Sequence, residues 1–251
     1  MRREAFPYRI FLAGAAGAIG RRLVPQLVQA GWTVFGTTRS PEKARELLGA
    51  GAEALVVDVF DAGAIEQAIV RTQPSVVLHQ LTDLPRRLDP AKAAEALGRN
   101  ARIRSEGTAN LVRAALAARV PRMIAQSIAW AYAPGPQPHR EDHPLDLDAQ
   151  GTRAVSVRGV VELERHVLQS PPLEGIVLRY GRLYGPGTAL DEPLELAMPL
   201  HVDAAARAAV LAIEHGKPGI YNIAEPGPQL DTDKARNELR WSADWRLQDP
   251  Q

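Results

Sequence analysis

Ile10-Phe11-Leu12-Ala13-Gly14-Ala15-Ala16-Gly17-Ala18-Ile19-Gly20 decides the fold. Apolar residues run into a turn with a glycine at every third position, and an alanine- and leucine-rich segment follows to about Ala30. The reading is strand, tight turn, helix. Gly14 permits the turn, Gly17 lets a ligand approach the backbone, and Gly20 lets helix pack on strand. The helix N-terminus, at Ala18, Ile19 and Gly20, then offers free N–H groups to a pyrophosphate. A bare turn with no ligand is the alternative.

The next strand, Trp32–Gly36, sharpens the expectation. A site for NAD carries a carboxylate at the end of this strand, on the ribose hydroxyls. Here Thr37-Thr38-Arg39-Ser40 follows, with Lys43 and Arg45 close by. A guanidinium and a hydroxyl suit a 2′-phosphate, so Arg39 and Ser40 predict NADP as cofactor.

Composition sets the bounds. The chain has 251 residues, 45% hydrophobic, with a formal net charge of +1. That suits one large α/β domain and gives no sign of a nucleic-acid or acidic-membrane partner. Cysteine is absent, which excludes disulfides, thiolate catalysis and thiolate-bound metals and agrees with a cytoplasmic protein. Residues 1–8 are short and polar, and no apolar run reaches membrane length.

Strands and helices then alternate. A helix follows Pro41, a strand spans Ala54–Val57, and Asp58 and Val59 leave it toward a ligand crevice. Asp58 either accepts a bond from adenine or caps the helix beginning near Ala62. Ser75–His79 is the fourth strand, with Leu81 and Thr82 at its exit and His79 a packed residue. Asp89–Val120 reads as one long helix. Arg122–Gln126 is the fifth strand and runs on to Ser127 and Tyr132, two hydroxyls at the mouth of the sheet. The loop with His139, Glu141, Asp142 and His143 lacks metal-ligand spacing, so no metal is expected. A helix at Val155–Leu168, a strand at Ile176–Tyr180, a helix at Ala204–His215 capped by Asp203, a strand at Gly219–Ile223 and a helix at Lys234–Leu239 complete the chain. The pattern is a doubly wound, mostly parallel Rossmann sheet. Residues 1–175 form its core, and 176–251 form a reduced C-terminal substrate lobe interleaved with the last strands.

The constellation resembles the short-chain dehydrogenase/reductase superfamily, in its extended or atypical NAD(P)-dependent epimerase/dehydratase-like branch. Gly14, Gly17 and Gly20 look like its dinucleotide turn and Asp58 like its adenine-contacting acid. Glu106–Leu111 is similar to its central-helix motif, Arg179–Gly187 to its R-x-x-x-x-Y-G-P-G turn, and His201-Val202-Asp203 to its H-V-D segment. The resemblance implies catalysis by a tyrosine and a lysine four residues later, the lysine lowering the tyrosine's pKa. Registered on Glu162, those positions hold Ala154 and Arg158. The motif asparagine of the central helix falls on Arg104. Tyr132 is therefore the first candidate acid, Ser127 a donor to a substrate carbonyl, and Arg158 a ribose or charge contact, with Tyr180 and Tyr184 in reserve. The expectation is an NADP(H)-dependent oxidoreductase or epimerase-like enzyme acting on a carbonyl or sugar-like small molecule. A non-catalytic dinucleotide-binding sensor or regulatory protein is the alternative. The long helices suggest a homodimer, although their alanine-rich faces could equally cover the sheet.

Overall fold

The computed structural model describes residues 8–83, 93–193 and 196–247. Seven parallel strands form the central sheet in the order β3-β2-β1-β4-β5-β6-β9. In chain order the elements begin β1 (Arg9–Ala13), α1 (Ala18–Gln29), β2 (Thr33–Thr38), α2 (Pro41–Gly49), β3 (Glu53–Val56), α3 (Ala62–Thr72) and β4 (Val76–His79). They continue α4 (Ala93–Arg102), α5 (Thr108–Ala117), β5 (Arg122–Ile128), α6 (Gly151–Leu168), β6 (Glu174–Tyr180), β7 (Arg182–Tyr184), β8 (Pro199–His201), α7 (Val202–His215), β9 (Gly219–Ile223) and α8 (Asp233–Glu238). Strand order reverses between β1 and β4, and the crevice at such a switch point is where doubly wound sheets bind ligands.

A strand covered on both faces needs apolar side chains throughout, because each residue in turn faces a different helical layer. β1 meets this requirement. Ile10 and Leu12 enter the core beneath α1 and α7, with Leu23, Leu27 and Val210. Phe11 and Ala13 enter the opposite core beneath α3, α5 and α6, with Ile69, Leu111 and Leu163. Leu111, Ala114 and Ala115 of α5 are fully buried there, so the alanine-rich face covers the sheet within this chain. β7 and β8 pair parallel beyond β6 and, with α8, form the smaller lobe. The Trp241 indole donates to the Ala204 carbonyl at 2.8 Å and pins the C-terminal segment to α7.

Three local expectations are corrected. The long helix is interrupted: Ile103–Gly107 forms a π turn between α4 and α5, and α5 ends at Ala117. Its expected start at Asp89 lies outside the described residues. His201, not Asp203, caps α7, its ring nitrogen accepting from the Asp203 N–H. Asp61 caps α3, while Asp58 accepts from the Phe60 N–H in a tight turn and leaves the cap role. The two capping corrections share one cause: neighbouring polar residues compete for the same backbone donors, and only the chain path selects the winner.

Candidate functional site

The glycine turn forms a cradle at the switch point. Gly14 has φ +90, and a Cβ there would meet the Gln80 carbonyl oxygen at 2.6 Å. A Cβ on Gly20 would collide with the carbonyls of Gly14 and Ala15, and its absence lets helix and strand approach. Gly17 differs: its φ is −77, and a Cβ would meet only the Gly14 carbonyl, at 3.3 Å. No side chain caps α1, and no acid lies in its first turn. The helix therefore presents unengaged N–H groups and an uncompensated positive end to an anion.

A cleft opens from this turn. Gly14, Gly17, Thr38, Arg39, Asp58, Val59, Leu81 and Thr82 all line it; of the residues expected to bind the cofactor, Ala18, Ile19 and Gly20 at the start of α1 and Ser40 do not. The open space at Gly17, the bare helix end and the adjacent Asp58 fit a dinucleotide.

Local contacts compete with the 2′-phosphate reading. The Arg39 guanidinium lies 3.5 Å from the Asp83 carboxylate, which Arg99 also approaches at 3.5 Å. The Ser40 hydroxyl accepts from the Lys43 N–H as the cap of α2. Both groups assigned to the phosphate are thus engaged, one by an acid far along the chain that local sequence does not bring to mind.

Beyond β4 the site becomes a buried polar network. Ser127 donates to Glu164 at 2.9 Å. Arg179 grips the same carboxylate with two bonds, at 2.9 and 2.7 Å, and both side chains are nearly inaccessible. The Arg179 guanidinium stands 4.7 Å from the Tyr132 ring centre. Tyr132 donates to Asn222 at 2.6 Å, and its ring stacks on His139 at 5.0 Å. Burial pushes the Tyr132 hydroxyl above its usual range, against the pull of Arg179. Asn222 also donates to the His139 and Asp231 carbonyls, and Glu141 accepts from its backbone N–H. Ser127 and Tyr132 are therefore brought together, but as members of a satisfied network. Arg158 is exposed on α6 and stands apart from them.

Glu164, which sequence reasoning passed over, shows why. Glu162 is half-buried and pairs with Arg165 at 2.7 Å, whereas Glu164 is buried. At roughly 3.6 residues per turn, Arg158 lies about 120° around α6 from Glu164. Counted from the buried acid, the family's lysine position falls on Val160 and its tyrosine position on Ser156. The buried spacing Val157, Val160, Glu164 was the available signal. Neither register supplies a tyrosine or a lysine. The reserve tyrosines are committed elsewhere. Tyr180 is fully buried and donates to the Ala205 carbonyl, with its pKa raised by burial. Tyr184 donates to Glu225 and is pushed up to about 12, chiefly by burial.

His79 is a packed residue. Its Nδ1 accepts from the Leu81 N–H at 3.3 Å, so Nε2 carries the proton toward Thr108 at 3.0 Å. Burial, reinforced by Arg104, lowers its pKa to about 4. Among the described residues no group of histidines and acids could hold a metal ion, and no helix is long and apolar enough to cross a membrane.

The parallel sheet, the glycine cradle and the cleft define a dinucleotide-binding Rossmann protein with an oxidoreductase- and epimerase-like fold. A family model described as NAD(P)H-binding matches residues 14–191, and the chain belongs to that family. It is 42% identical over 240 residues to a 3-diazoavenalumate denitrifying reductase from Streptomyces, covering 88% of this chain and 77% of that protein. In fold it is similar to the UDP-glucose 4-epimerase of Thermotoga maritima, with TM-score 0.75, 20% identity and 94% of each chain covered. It is also similar to the enzyme WbmG of Bordetella bronchiseptica in complex with NAD, with TM-score 0.72, 21% identity and 98% and 92% of the two chains covered. Solved enzymes of this fold from Bordetella bronchiseptica, Thermus thermophilus and Bacillus cereus are described in complex with NAD, which overturns the expectation of NADP.

Proposed function

We propose that this chain is an NADH-dependent reductase of aryl diazonium compounds, releasing dinitrogen. The observation that carries the reading is the missing proton donor. Reduction of a carbonyl builds negative charge on oxygen and calls for an acid. The positions where the family's tyrosine and lysine would stand hold Ala154 and Arg158, or Ser156 and Val160 counted from Glu164. Tyr132 gives its hydrogen to Asn222 and resists ionisation. When bound, the dinucleotide supplies hydride, and an aryl diazonium plus hydride gives the arene and dinitrogen with no proton required. The relative that shares 42% identity is named for this type of conversion.

The chain's own residues then bind and shape. The N–H groups of Ala18, Ile19 and Gly20 hold the pyrophosphate. Asp58 and Val59 border the adenosine half, and Leu81 and Thr82 the nicotinamide half. Ser127, Glu164, Arg179, Tyr132 and Asn222 keep the end of the sheet rigid. The test is incubation with NADH and para-carboxybenzenediazonium, following NADH loss and gas release against Gly17→Ala protein. NADH deuterated at the nicotinamide should place deuterium on the ring, with one dinitrogen per NADH. A rate no faster than the protein-free mixture would overturn the reading, and interconversion of UDP-glucose and UDP-galactose would replace it with a sugar epimerase.

A further inference from the structure

Arg104 is 7% exposed and makes no hydrogen bond or ion pair among the described residues. Most buried guanidiniums sit against a carboxylate, because an unpaired charge loses its hydration without compensation. The acid nearest in influence is Glu164, yet both its oxygens are already taken by Arg179, with Ser127 on one of them. His79, which also feels Arg104, is neutral. Glu141 lies on the far side of the network, held at the Asn222 N–H. Arg179 and Glu164 cancel, and the charge of Arg104 is left over. Burial accordingly pulls its pKa down to about 10.

The backbone at Arg104 is irregular and lies next to the cleft. Arg104 belongs to the π turn Ile103–Gly107, a distortion that re-aims side chains and recurs at functional sites. That turn borders the cleft: Ile103 lines it, and a Cβ on Gly107 would meet Val59 at 3.2 Å. α6 packs against the π turn, and the positions on α6 where the family's large side chains would stand, counted from Glu164, hold Ser156 and Val160.

We propose that Arg104 is the binding site for a single carboxylate of the substrate. The inference rests on the reductase reading for the identity of the substrate, an aryl acid. A carboxylate supplies the charge the guanidinium lacks and matches its forked geometry. Ribose hydroxyls would leave the charge uncompensated.

Calorimetry with trans-cinnamate and with its uncharged amide, cinnamamide, separates the possibilities, and it needs no turnover. Wild-type protein should prefer the acid by at least about tenfold, and Arg104→Met should abolish that preference. Arg104→Lys should keep part of it. NADH affinity should stay within about twofold in both variants, and Arg104→Met should melt no lower than wild type, since it removes an unpaired buried charge. Equal binding of acid and amide by wild type would overturn the site. So would a loss of NADH binding in Arg104→Met, which would assign the guanidinium to the dinucleotide. If the diazonium is not reduced while acid binding depends on Arg104, the reaction falls and the carboxylate site stands.

Discussion

Gly17 and Gly14 sit three residues apart in the same turn, and the structure gives them opposite duties. At Gly17 the backbone is ordinary, with φ −77 and ψ 176, and an added Cβ meets one carbonyl at 3.3 Å. Replacing a glycine cap by alanine costs about 0.5–1 kcal/mol. Reduced freedom of the unfolded chain returns about 0.4–1 kcal/mol. Gly17→Ala should therefore melt close to wild type. Its methyl group, however, stands where a pyrophosphate must approach, and NADH should bind at least about tenfold more weakly, or about 1.4 kcal/mol. Gly14→Ala is the reverse case. Its φ of +90 costs an L-residue about 1–2 kcal/mol, and backbone atoms of Gln80 at 2.6 and 2.7 Å add overpacking of about 1–3 kcal/mol. The sum, roughly 2–5 kcal/mol, should lower Tm by about 4–20 °C in a chain of this size. Circular dichroism melting and calorimetric titration with NADH measure both quantities. Unchanged NADH affinity in Gly17→Ala, or a wild-type Tm in Gly14→Ala, would refute the reasoning.

Other perturbations follow from the buried network. Glu164→Gln leaves Arg179 without its partner and removes the acid that also acts on the buried Arg104, and should cost about 3–5 kcal/mol in urea denaturation; a loss under about 1 kcal/mol would show that the pair is dispensable. His79 is neutral in the fold, with a pKa near 4 against 6.5 unfolded, so its contribution is complete above pH 6.5 and is lost as pH falls toward 4. The span amounts to about 3 kcal/mol, and His79→Asn should flatten the stability profile across that window; an unaltered slope would sink the assignment. Tyr132→Phe should leave diazonium turnover within about threefold, because no acid is required, while a loss beyond about a hundredfold would restore Tyr132 as the proton donor.

Most of the architecture was legible locally. A strand buried on both faces must be continuously apolar, and a helix that starts on a ligand must start on glycine, so Ile10–Gly20 fixed both the Rossmann turn and its position. The absence of cysteine removed whole classes of chemistry at once. The exits of β3 and β4, at Asp58, Val59, Leu81 and Thr82, followed from strand alternation alone. What the sequence could not supply was the partner of each charge. Arg39 read as a phosphate ligand until folding brought Asp83 and Arg99 beside it. Glu162 and Glu164 are chemically identical and two positions apart, and only the rotation of α6 against the sheet buried one and left the other half-buried. Arg104 was read only as the residue standing at the motif asparagine of the resembled family. Its meaning came from a π turn next to the cleft and from an acid already claimed by Arg179. Periodicity and backbone sterics are local and can be read along the chain, whereas electrostatic pairing depends on distances in space, which the tertiary structure sets.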